Sequence, residues 1–295
     1  MRDPTMLEKA IVAVQTWVPG VSNDVVFTTV VSISIFVLGY FFNRFYDNWK
    51  ERARNRDIRE FVFTSLDAMV PAIDKQIAGF NDLKDQLASK RHQDYIFVES
   101  TSLNFENLDS VPRDQIFRAF ARGRRKKRGE RIKHLNSLWR DLDFIRHQRE
   151  PARQAFVQFR ESYRRYLLSW NENVDAIARL HDEYHMMSAR SSVRPSEDPF
   201  FREFNLIVHR LDQAGGPKSW ESEKARLLDP LREVCKVHHL DSRANAVMKK
   251  IIQADFAFDN RKHLLESYGN YFSQQSAALM EKKASIMDVI QVLPE

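Results

Sequence analysis

The sequence predicts an all-α protein with one transmembrane helix near its N-terminal end and a cytosolic helical bundle or coiled-coil domain after it. Three observations predict this. Glycine occurs 8 times and proline 10 times in 295 residues. Sheet-rich folds draw their turns largely from these two residues, at about 7% and 5% of an average chain, so their scarcity favours long helices with few connections. One 19-residue stretch carries no charge, and apolar residues elsewhere recur every three or four positions. The single cysteine excludes an internal disulfide framework and any multi-cysteine metal site. Hydrophobic residues make up 43% of the chain, enough for a core.

The uncharged stretch is VVFTTVVSISIFVLGYFFN, residues 25–43. At 1.5 Å per residue it spans about 28 Å, close to the roughly 30 Å hydrocarbon thickness of a bilayer. Tyr40, Phe41, Phe42, Phe45, Tyr46 and Trp49 cluster at its C-terminal end, as aromatic residues do at a membrane interface. The run is longer than a signal-peptide core, and bulky residues follow it where a cleavage site needs small ones, so an uncleaved anchor is expected. Residues 1–24 hold two Lys or Arg, whereas residues 44–60 hold six. The positive-inside rule then places the N-terminus outside and residues 44–295 in the cytosol. Leu7, Ile11, Val14 and Val18 recur at helical spacing, which predicts a short interfacial helix within the external segment 1–24.

The span has a polar side. At 100° per residue, Asp24, Thr28, Ser32, Gly39 and Asn43 fall within a stripe about 100° wide. Small and hydroxyl residues let helices approach closely. The same stripe in a homo-oligomer would face a pore, with Asp24 as a ring at the outer mouth. Both readings imply self-association.

Beyond the span, Ile58, Val62, Leu66, Met69, Ile73, Ile77, Phe80, Leu83 and Leu87 form one apolar stripe. This predicts a stalk helix over 44–90, kinked near Pro71, whose stripe contributes to assembly. A helical domain is expected over 91–190. Within it, residues 95–98 (YIFV) are the one strand-like run, and a helix starts near Pro112 and runs through Phe120. A long helical region over about 131–187 follows, divided at Pro151. Residues 191–199 (SSVRPSEDP) read as a linker, and 200–295 as a C-terminal helical subdomain. There, one helix runs from Phe200 to Leu211, Ser219 caps a second that Pro230 interrupts, Asp241 caps a third, and a last helix covers about 255–290.

The densest charge lies in residues 122–131, RGRRKKRGER. Arg122, Arg124, Arg125, Lys126, Lys127, Arg128 and Arg131 face one acid, Glu130. The remaining 285 residues hold 39 Lys plus Arg and 39 Asp plus Glu, so the net charge of +6 resides in this segment. Two glycines and mutual repulsion predict an open loop. It is either a solvated surface or a binding site for an anion: an oligonucleotide, a nucleotide or anionic lipid. Lipid needs the loop near the bilayer, and about 80 residues separate it from the span.

Catalytic chemistry is not indicated. His181 and His185 stand four apart but lack a third metal ligand, and His238 and His239 are adjacent. Cys235 sits among apolar positions as inert core, and Asp141 and Asp143 point apart on a helix. No phosphate-cradling, dinucleotide or nucleophile-elbow motif occurs. No cofactor, metal or enzymatic activity is expected.

One outward-facing N-terminus, one pass, a stalk and a cytosolic helical domain with a basic segment form a layout that resembles the membrane effectors of bacterial anti-phage systems, of the Hailong membrane-channel type. The resemblance lies in the order of parts. It implies a homo-oligomeric effector in the inner (cytoplasmic) membrane of a bacterium, whose cytosolic domain controls a pore or membrane perturbation in response to a nucleotide or oligonucleotide. The alternative is a membrane-tethered coiled-coil scaffold without conductance.

Overall fold

The structure, a computed structural model, describes residues 9, 12–13, 23–89, 94–100, 105–121, 125–190, 197–213, 215 and 219–292. The expected interfacial helix, most of the expected linker and residues 122–124 of the basic segment lie outside the described residues. The fold is all-α, with no strand among the described residues. Its elements are α1 (Asn23–Ala88), α2 (Glu106–Asp109), α3 (Arg113–Phe120), α4 (Arg125–Arg190), α5 (Pro199–Gln213), α6 (Trp220–Glu223), a π turn (Lys224–Leu228), α7 (Asp229–Val237) and α8 (Ser242–Val292). Contacts divide the chain into two units: residues Met1–Ser65 with Glu106–Lys133, and Leu66–Phe105 with His134–Glu295.

The expected division at Pro151 does not occur: α4 passes through it as helix, as α1 passes through Pro71. Each proline withholds one N–H from the carbonyl four residues earlier. Here Pro71, Asp67, Pro151 and His147 are all exposed, so water can reach the residues whose carbonyls are freed. Ala72 and Ala152, the next residue in each case, are buried, and packing keeps both segments helical across the missing bond.

In the larger unit α8 runs antiparallel to both α1 and α4. Ser276 Oγ donates to Asn81 Oδ1 (2.9 Å) and Lys283 Nζ to Asp74 Oδ1 (2.6 Å), while Gln148 Nε2 donates to Gln275 Oε1 (2.7 Å) and Ser285 Oγ to Asp141 Oδ2 (2.6 Å). Rising numbers on α1 and α4 pair with falling numbers on α8. The predicted stalk stripe supplies this core from Leu66 on: Leu66, Met69, Ile73, Ile77, Phe80, Leu83 and Leu87 are all buried within the chain itself, as is Val62 in the smaller unit. The stripe is therefore the bundle core that its spacing predicted.

The strand-like run is an extended segment that pairs with side chains instead of a second strand. Gln86 clasps Ile96, its Nε2 donating to the carbonyl (3.0 Å) and its Oε1 accepting from the amide (2.9 Å). Gln76 Oε1 accepts from Ser100 N (2.9 Å). Gly79 makes this possible, since a Cβ there would collide with the Val98 carbonyl oxygen. Phe97 then stacks on Phe80 and packs on Phe156 and Phe272, and Tyr95 meets Phe159 edge-on.

The distal core gathers α4, α5, α6, α7 and the first half of α8 around Trp170, Phe200, Phe204, Trp220, Leu231 and Val247. Trp170 and Trp220 stack at 4.8 Å, and Trp170 Nε1 donates to Glu223 Oε2 (2.8 Å). Ser219 caps α6, accepting from Ser222 N (3.1 Å). Pro230 then widens the helix into the π turn, where Asp229 N reaches back five residues to the Lys224 carbonyl. Residues 134–190 and 200–295 thus belong to one contact unit. The third and last expected helices of the C-terminal region are one, the 51-residue α8.

Candidate functional site

The membrane-proximal part of α1 is apolar and uncovered. Phe27–Ala88 contains a window long and apolar enough to cross a membrane, and none of that window is buried. Phe36 and Phe42 are 76% and 77% exposed. Such residues surround the helix at successive positions 36, 37, 38, 41 and 42, so no rotation hides them from water. Arg44 Nη1 donates to Tyr40 Oη (3.1 Å), turning its charge towards the aromatic end of the span.

Asp24, Thr28, Ser32, Gly39 and Asn43 are exposed on this helix. Thr28 Oγ1 donates to the Asp24 carbonyl (2.7 Å), and Thr29 and Ser34 make the same bond to Val25 and Val30. These three hydroxyls are satisfied within their own helix, and of them Thr28 belongs to the polar stripe. A Cβ at Gly39 meets nothing within 4 Å.

The basic segment differs from its expected form. Residues 125–131 open α4 as helix, Gly129 included. Arg128 is exposed, and the side chains of Arg125, Lys126 and Lys127 lie outside the described residues, as do Arg122 and Arg124 altogether. α3 precedes the segment and lies on α1: Arg54 Nη2 donates to Gln115 Oε1 (2.8 Å), and Phe63 meets Phe120 edge-on at 5.5 Å. Arg54 is eleven residues past Asn43, about 16 Å along the helix. The 80 intervening residues therefore do not translate into distance, because the chain returns to α1 before the basic segment begins. The membrane-proximal unit carries 18 Lys plus Arg against 11 Asp plus Glu, and the larger unit 28 against 29.

The remaining candidates are structural. His181 stacks on Phe201, with Nε2 3.0 Å from Asn205 Oδ1, and His185 meets Phe201 edge-on. His238 packs on Phe200. No group of three metal-ligating side chains occurs among the described residues. Cys235 is buried, and burial pushes its thiol up to about 11, away from thiolate reactivity. Asp141 is buried, with Ser285 and Lys282 beside it.

Two charge arrangements escaped the sequence reading, one half-buried and one buried. Arg243 bridges two helix caps. Its Nη1 donates to Asp198 Oδ2 (2.6 Å) and its Nη2 to Asp241 Oδ2 (2.7 Å). Asp198 also accepts from Phe201 N (3.1 Å) at the start of α5, and Asp241 from Arg243 N (2.8 Å) at the start of α8. Burial opposes ionisation of Asp198, but hydrogen bonds from Arg243 and Phe201 outweigh it and hold the carboxyl low. Hydrogen bonds from Arg243 hold Asp241 low as well. The second arrangement is Arg261, 3% exposed, with its guanidinium 4.4 Å above the Trp220 ring. Asp241 was legible as a cap residue, whereas Asp198 fell in the expected linker; nothing in sequence spacing joins them to one arginine.

No protein-family model, curated protein or solved structure matches this chain.

Proposed function

We propose that the protein is a single-pass, homo-oligomeric membrane effector whose helical domain controls a pore or local membrane perturbation. The observation that supports this is α1. One uninterrupted helix of 66 residues, about 100 Å long, bears an uncovered apolar surface near one end and core side chains near the other. The core residues and the span share this helix, the covalent path by which a change at one reaches the other. The lysines and arginines at 44–60 orient the span with the N-terminus outside and the helical domain in the cytosol of a bacterial cell. A single helix encloses no channel, so about four or more copies must combine, with Thr28, Ser32 and Gly39 at the contacts. The ligand is an oligonucleotide held through its phosphates by residues 122–131.

Planar-bilayer recording of the full-length protein, with and without a single-stranded oligonucleotide, tests the reading. Ligand-dependent current supports it. Absence of current in both conditions favours a membrane-tethered scaffold, a second reading supported by the Thr28 hydroxyl, which is turned onto its own helix and away from any ion path. A reporter fused after Glu295 tests orientation, and activity on the outer side overturns it. Gel-shift and vesicle pull-down with the full-length protein separate the oligonucleotide from anionic lipid.

A further inference from the structure

A cavity of about 450 Å³ opens between α1, α6 and α8 within the larger unit. We infer that it is a binding site for a small organic anion: an aromatic or apolar body carrying a phosphate or carboxylate group.

The lining has the composition of a ligand site rather than a packing defect. Arg261 lines it from α8, buried, its guanidinium carbon 4.4 Å from the centre of the Trp220 ring and its Nη1 3.5 Å from Glu221 Oε1. Lys84 from α1 and Lys262 from α8 add two more cations at the wall. The carboxylates facing them are Glu221 and Glu266, so the lining carries one positive charge more than it neutralises. Phe258, Leu87 and Leu265 supply the apolar wall, and Asn270 and Ser273 supply neutral hydrogen-bonding groups. Ligand sites commonly have this size and this balance, a mostly apolar wall with a few converging polar groups.

Gly269 is the second observation. It lies deep inside the 51-residue α8, where glycine costs about 0.5–1 kcal/mol relative to alanine. Close packing does not require it, because a Cβ there meets nothing within 4 Å. Its backbone is helical, so no left-handed conformation requires it either. The missing side chain widens the cavity it lines.

The site is independent of the pore reading, and its test uses binding alone. Full-length protein in phosphatidylcholine nanodiscs is titrated calorimetrically with AMP, with 1-naphthoate and with adenosine, the uncharged counterpart of AMP. Saturable binding of AMP assigns a phosphate ligand and of 1-naphthoate a carboxylate ligand, in either case at least tenfold tighter than adenosine. Gly269→Leu fills the cavity and should remove binding without lowering Tm. Lys262→Glu, at an exposed position that the fold does not need, should weaken the anions tenfold or more and leave adenosine unchanged. No binding of either anion at millimolar concentration overturns the proposal, as does adenosine binding equal to AMP. Unchanged anion affinity in folded Gly269→Leu or Lys262→Glu also overturns it.

Discussion

Leu38 and Leu66 occupy the same helix, yet Leu38 is 65% exposed and Leu66 is fully buried. Around Leu38 the apolar residues 35–38 and 40–42 are interrupted by Gly39 alone, so apolar side chains cover the helix outside its narrow polar stripe. Around Leu66 they recur every three or four residues, and the charged positions between them face water. The first pattern asks for a solvent other than water and the second for a partner on one side. The difference shows that α1 obtains its order from two media. The larger unit covers its own stretch, and lipid or further copies of the chain must cover the other.

Paired substitutions break this comparison most strongly. Ile73→Asp places a charge at a fully buried position and should cost more than about 4 kcal/mol, abolishing cooperative unfolding of the larger unit. Val37→Arg adds a charge to an exposed position. It should leave the unfolding transition unchanged while depleting the membrane fraction, since arginine at a helix centre disfavours insertion by about 2.5–3.5 kcal/mol. Thermal scans and membrane fractionation of both variants check the contrast. If Ile73→Asp changes only the assembly state, the stripe is a seam between copies after all.

A smaller effect separates buried backbone from exposed backbone. Gly79→Ala drives a methyl into the Val98 carbonyl and should destabilise by about 1–3 kcal/mol, because the obstacle is main chain held by Gln76 and Gln86. Denaturant midpoints of the single variant and of Gln86→Ala should show that both loosen the same segment, with faster amide exchange at Ile96.

These two glycine-and-glutamine contacts also mark where sequence reading stopped. The span, the stalk stripe, the end of α5 and the caps Ser219 and Asp241 were legible because each is a local pattern of apolar spacing, charge or capping chemistry. Pro151 misled, since its cost depends on whether the orphaned carbonyl is wet, and that is set by which face it occupies. The fate of residues 94–100 was hidden because its partners are side chains 10 and 24 residues away. The basic segment was legible as charge but not as helix. Arg261 and its cavity were illegible, as their neighbours come from three separate helices.

Acid should weaken the larger unit in a way traceable to Arg243. Asp198 and Asp241 both have carboxyls held below their ordinary value. A depressed carboxylate adds stability that is fully present above its unfolded pKa, about 3.9 for aspartate, and is lost as pH falls through the folded value. Arg243→Gln should therefore cost about 1–2 kcal/mol near pH 7, the partial exposure of all three groups keeping it below a fully buried pair. The deficit should shrink towards zero as pH drops below about 4. Urea denaturation of wild type and variant at both pH values measures it. A deficit equally large in acid would assign the loss to packing of the arginine on Tyr184 and Phe200.

The smallest expected effect sharpens the comparison within α1. Gly39 has open space where Gly79 has a carbonyl. Gly39→Ala should leave the stability of the larger unit within about 0.5 kcal/mol of wild type. If Gly39 faces only lipid, the added methyl is inert in every measurement. If Gly39 lies where copies of the helix touch, the methyl separates their backbones, and dissociation in detergent should occur at lower dilution, more so for Gly39→Leu. Sedimentation or single-molecule counting over a dilution series measures this. An unchanged assembly in both variants would remove the stripe at Thr28, Ser32 and Gly39 from the contact and leave lipid as the sole cover of the span.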